Sequence, residues 1–171
     1  MKKPNQLREH LLQGLPHLAK NPDRLLIFVD EGRTVNTLAN GLSFEYRYTL
    51  NLIITDFSED LAGLMVLIYA WLRLNQPELM ANLDKSRDSV KFVADILDNS
   101  RVDLSITLPL TERVIVKEVD GQAVYDYPAE PYATAVKPSM KVDIINAKTE
   151  QVLGSFMTGE REQRLELEMP L

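Results

Sequence analysis

The chain has 171 residues, 45% of them hydrophobic and 26% charged, with a formal net charge of −6 and no cysteine. These values allow an ordinary globular core and exclude disulfide frameworks and thiolate zinc sites, while the acidic balance argues against a surface that grips nucleic-acid phosphates. The longest apolar stretch, 61–74, is shorter than the roughly 18–20 residues a membrane span needs and is closed by Arg73, so it predicts a buried helix. No apolar run follows Lys2 and Lys3, so a secretory signal is not expected and the protein is read as one that stays inside the cell.

Pro4 suits a first helical turn, and Leu7, Leu11, Leu12 and Leu15 recur at helical spacing, which predicts an amphipathic helix over 4–13 that Gly14 and Pro16 end or kink. Asn21, Pro22 and Asp23 form a turn, and the apolar run at 25–29 is short enough to be a strand. Residues 31–43 turn polar, with Gly32 and Gly41, and predict a long loop. Phe44, Tyr46, Tyr48, Leu50, Leu52 and Ile54 then occupy alternate positions, the clearest strand in the chain, because only one face of it is apolar.

Asp56 with Glu59, or Ser58 with Asp60, can cap the next helix, which runs to about Asn75 and stops before Pro77. Its apolar residues, Leu61, Leu64, Met65, Leu67, Ile68, Trp71 and Leu72, cover more than one stripe and make it the central core helix, with Trp71 as anchor. Val90, Phe92, Ala94 and Ile96 alternate, as do Val102, Leu104, Ile106 and Leu108, with Asp98, Asn99 and Ser100 turning between them: an antiparallel hairpin. A further strand at 113–119 meets Asp120-Gly121, a strong hairpin signal, and 122–127 returns. Pro128, Pro131 and Pro138 interrupt regular structure before strand-like runs at 142–145 and 152–156. At the end Leu165, Leu167 and Met169 alternate with Glu166 and Glu168, a pattern suited to a strand added to the sheet edge of an adjacent subunit, to a strand folded back on its own sheet, or to a frayed terminus.

Candidates for chemistry are sparse. His10 and His17 are separated by Gly14 and Pro16 and recruit no third ligand, so a metal role is not expected. Asp95, Asp98 and Asp103 lack calcium-loop spacing and read as a solvated hairpin turn, and Glu59 with Asp60 reads as helix capping rather than an acid–base pair. Phe44, Tyr46 and Tyr48 are read as sheet core rather than a base-stacking platform. No phosphate-binding loop, dinucleotide fingerprint, nucleophile elbow or zinc-protease motif occurs, and no cofactor is implied.

The opening KKPNQLREHLLQGLPHL, then NPDRL, LSFEYRYTLNLIITDF at 42–57, LMVLIYAWLRLNQPEL and VDLSITLPLTERVIV, taken in order, resemble the phage tail completion protein R family. The likeness spans roughly 2–128, with FEYRYTLN, AWLRLNQP and LPLTERV as its most specific pieces. The resemblance implies a non-catalytic virion subunit that assembles in the host cytoplasm, six copies at a time, into a ring at the head-proximal end of a contractile tail. There it would stop tube and sheath growth and meet the head–tail connector, while DNA passes through without specific binding. On this reading the loop at 31–43 touches another tail subunit through Arg33, Asn36 and Asn40, and Leu165, Leu167 and Met169 contact a neighbour as an arm.

The expected architecture is α+β: a mostly antiparallel β-sheet packed on one face by two α-helices, with a β-hairpin and an extended C-terminal arm. Residues 1–131 form the terminator-like domain and 132–171 an extension of unassigned role. Two other readings stay open at this stage: a transient tail-assembly chaperone or adaptor, and a small metal-dependent hydrolase using Asp95, Asp98 and Asp103.

Overall fold

The computed structural model describes residues 1–36, 41–98, 100–130 and 140–158. The elements in chain order are α1 (Lys3–Gly14), α2 (Pro16–Lys20), β1 (Leu25–Asn36), β2 (Phe44–Phe57), α3 (Leu61–Asn75) and the short helices α4 (Glu78–Ala81) and α5 (Leu83–Ser86). They are followed by β3 (Lys91–Ile96), β4 (Val102–Val119), β5 (Gln122–Asp126), β6 (Lys141–Ile145) and β7 (Val152–Met157).

The fold is α+β, as the alternation and the apolar helix predict. The main sheet has the order β1-β2-β4-β3, every pair antiparallel, with β5 paired to the far half of β4. Register rows run straight across it: Leu25, Ile54, Leu104 and Ala94 form one, and Ile27, Leu52, Ile106 and Phe92 the next. Because side chains alternate, those rows define one face. Leu7 and Leu11 of α1, with Leu64, Leu67, Ile68, Trp71 and Leu72 of α3, are buried against that face. Trp71 is buried in the core, as its place on an all-round apolar helix predicts. Phe44 and Tyr46 meet edge to face, with ring centroids 5.0 Å apart, and Tyr48 is buried, so these aromatics serve the sheet.

Three details differ from the sequence reading. Residues 31–36 are not loop: β1 continues to Asn36 through a bulge between Asp30 and Arg33, where Glu31 takes a left-handed φ of 51°. The polar run looks like loop because it is an edge strand with no apolar face to fill. The segments 102–108 and 113–119 are one continuous strand, β4, since β2 pairs along it past Pro109. The cap of α3 is Asp60 itself, whose carboxylate accepts the Ala62 N–H at 2.9 Å. Elsewhere the turn chemistry holds: Asp120 and Gly121 both have positive φ, 51° and 73°, as a two-residue hairpin of this hand requires.

β6 and β7 form a separate antiparallel hairpin that rests on α1 and α3 and brings Ile144 into the core. Its seat depends on close backbone approach. A Cβ at Gly154 would lie 2.2 Å from the Gly14 carbonyl oxygen, so only glycine fits there.

Candidate functional site

The most densely connected polar cluster joins the segments that carry the family resemblance. Lys3 and Gln76 are buried where α1 begins and α3 has just ended, and Thr111 and Glu112 lie on β4. The Lys3 ammonium donates to Gln76 Oε1 at 2.6 Å, to the Thr111 carbonyl at 2.6 Å and to Glu130 Oε1 at 2.8 Å. Gln76 Nε2 donates to Thr111 Oγ1 and Glu78 Oε1, each at 2.9 Å, and Gln76 Oε1 also accepts the Thr111 N–H at 3.3 Å. Glu112 accepts the Lys2 N–H at 2.6 Å and the Tyr48 hydroxyl. Burial, and then the bond to Glu112, push the Tyr48 phenol far above its ordinary pKa, so it stays a donor.

Topology explains why this cluster exists. β3 pairs with β4 only over 102–107 and β5 only over 115–119, which leaves a gap in the ladder between them. Thr111 lies in that gap, and its N–H and carbonyl are taken by Gln76 and Lys3 instead of a strand. Unpaired main-chain groups there would cost a lost hydrogen bond each. The cluster therefore ties α1, α3 and β4 together, and each charge in it has a partner. It lends Thr111 and Glu78 to a cleft of ≈ 510 Å³ that also holds Glu31, Arg33, Arg47 and Lys85, and Lys3, Glu112 and Glu130 to another of ≈ 400 Å³.

Of the predicted contact residues, Arg33 and Asn36 share β1. Arg33 is exposed at the mouth of the larger cleft, whereas Asn36 turns inward on its own hairpin, donating from Nδ2 to the carbonyls of Gly41 at 3.1 Å and Ser43 at 2.8 Å. Asn40, Leu165, Leu167 and Met169 lie outside the described residues. The three aspartates do not converge on a metal site. Asp98 accepts from Ser100 and Arg101, which hold its carboxyl well below the usual range, Asp103 accepts the Asp56 N–H at 2.8 Å, and Asp95 stands opposite Asp103 in the ladder. Among the described residues no group of three acidic or histidine side chains could hold a metal ion.

Both histidines are partly buried. His10 donates from Nε2 to the Leu67 carbonyl at 3.1 Å, and burial depresses its pKa. His17 Nδ1 and Glu59 Oε2 are buried without hydrogen-bond partners among the described residues, and burial raises the Glu59 carboxyl despite the opposing pull of His17.

Among the described residues the outer edges of β1 and β3 are open and carry apolar side chains in solvent. Leu26 and Phe28 on β1, and Phe92, Val93 and Ile96 on β3, are exposed, Ile96 to 80%. Phe92 and Ile96 belong to the same sheet face as the core rows, yet among the described residues no helix reaches far enough to cover them. Such edges are places where another chain can pair. Neither the node nor these edges was singled out by sequence reasoning, although Glu112 in the apolar series Leu104, Ile106, Leu108 and Leu110 signals a buried charge.

Comparison with known proteins agrees with the arrangement of these segments. Residues 1–131 match the family described as P2 phage tail completion protein R (GpR). The chain is 50% identical over 121 residues to tail completion protein R of Escherichia phage P2, covering 71% of this chain and 78% of that protein. No solved structure matches it. With that extent of family match and that identity, the chain belongs to the phage tail completion protein R family.

Proposed function

We propose that the protein is a structural subunit of tail completion that assembles, six copies at a time, into a ring at the head-proximal end of a contractile tail. The ring ends growth of tube and sheath and offers the head–tail connector a surface, working by assembly rather than catalysis. Family membership over residues 1–131 carries the structural role. Ring formation is supported by the open edges of β1 and β3, which pairing between copies in a closed ring would remove. The net charge of −6 suits a channel through which DNA slides, since like charges repel the phosphates. Residues 1–131 act as the ring-forming unit, and 132–171 extend it, with Leu165, Leu167 and Met169 as an arm toward a neighbour. Arg33, Asn36 and Asn40 add contacts to adjoining tail subunits.

Native mass spectrometry of the purified protein, alone and with isolated tails, tests this reading. A six-copy species on the tail supports it, and a protein that stays monomeric in both settings contradicts it. A mature tail whose protein inventory lacks this chain would favour a departing assembly chaperone.

A further inference from the structure

We propose that β1 of one copy pairs with β3 of the next, so that the ring is a continuation of this sheet; the inference rests on the ring reading above. Four antiparallel strands in the order β1-β2-β4-β3 leave β1 and β3 running in opposite directions. A copy rotated about a ring axis therefore presents its β3 antiparallel to β1 of its neighbour, with core faces on the same side. This is a heterologous contact, the kind that closes into rings.

The lengths and chemistry of the two edges agree. β1 has six regular residues, 25–30, before its bulge, and β3 has six, Lys91–Ile96. Aligning them antiparallel with their faces matched places Asp30 opposite Lys91, Val29 opposite Phe92, Phe28 opposite Val93 and Ile27 opposite Ala94. Opposite charges and apolar pairs thus coincide in one register. Lys91 is exposed and, among the described residues, bridges to Asp88, itself exposed, at 3.1 Å, so it can exchange partners. Phe92, left bare by the helices of its own chain, would be covered by the neighbour's Val29. The far end of the β1 edge is already closed, since Arg8 donates to the Leu25 carbonyl, which leaves 26–30 for the partner.

The absence of cysteine makes the test clean. Phe28→Cys and Val93→Cys are placed singly and together in the full chain, and disulfides are formed by mild oxidation. Within one chain β2 and β4 intervene, a separation of about 14 Å that no disulfide spans. The double variant should give a ladder of covalent multimers, a mixture of the two single variants should give covalent dimers only, and neither single variant alone should cross-link. A ring seen by native mass spectrometry without cross-links overturns the edge pairing and leaves the ring reading intact. Absence of any ring, alone or on tails, overturns both. Preferential cross-linking of Val93→Cys to a cysteine placed within 161–171 would assign β3 to the tail segment instead and overturn the pairing. Independently, Asp30→Lys and Lys91→Asp should each lower the ring population at least tenfold and restore it when combined. Rings undiminished by either single reversal refute the pairing.

Discussion

β2 and β3 carry the same kind of sequence, apolar residues on alternate positions, yet they have opposite fates. Leu50, Leu52 and Ile54 of β2 are fully buried, whereas Phe92 and Ile96 of β3, on the same sheet face, are 54% and 80% exposed. The difference lies in what is stacked above them. α1 and α3 cover the rows formed by β2 and β4 and stop short of β3. Alternation thus records which face of a strand is apolar, and not which part of the chain, or which chain, will cover it. We take the covered rows to serve stability and the bare edge to serve assembly.

The largest effect should follow from emptying the covered side. Trp71→Ala should lower unfolding free energy by about 3–5 kcal/mol, read by urea titration, because a large side chain leaves a closed space. A loss below about 1 kcal/mol would mean that α3 faces a partner instead of the core.

The polar node should come next. Gln76→Leu leaves the Thr111 N–H without its acceptor and takes one partner from Lys3, a cost of about 1–3 kcal/mol. Combined with Lys3→Met, the two losses should be less than additive, with a coupling of at least about 0.5 kcal/mol. Strict additivity would show that the residues do not act as one cluster.

A smaller effect of defined sign concerns Glu59. Its carboxyl pKa is raised by burial above its ordinary 4.5, so the folded chain holds the proton more tightly than the unfolded chain does. Ionising it therefore costs stability, a cost that is absent below the unfolded pKa and complete above the folded one. Glu59→Gln should raise the melting temperature at neutral pH, and the gain should close as pH falls through about 4.5. A gain that does not change with pH would assign the effect to packing alone.

The smallest stability effect should come from the bare edge. Ile96→Ser should change unfolding free energy by no more than about 0.5 kcal/mol, since its side chain has little to lose. A loss above about 2 kcal/mol would place Ile96 in the core of the single chain and erase the contrast with Ile54.

Much of the covered region was legible in the sequence because local signals and tertiary packing coincide there: the alternation from Phe44 to Ile54, the all-round apolarity of 61–74 and the Asp120-Gly121 turn. The second half of β1 was not legible. Arg33, Thr34 and Asn36 have a single apolar neighbour in sequence, Val35, too little for an alternating pattern, and become strand through pairing with β2 across a bulge. The polar node was hidden for a different reason, since Lys3, Gln76 and Thr111 are ordinary surface residue types that meet only after the chain has folded. Glu112 was the available clue, a carboxylate at the next position of a buried apolar series, and Tyr48 and the Lys2 N–H are the partners that such a position requires.

Hydrogen–deuterium exchange on the dilute free chain and on assembled tails tests the contrast most directly. The account predicts that peptides over 50–54 are protected in both states, while peptides over 91–96 exchange rapidly in the free chain and slow at least tenfold on the tail. Equal exchange of 91–96 in the two states would contradict it, because β3 would then remain an open edge in the assembly it is held to build.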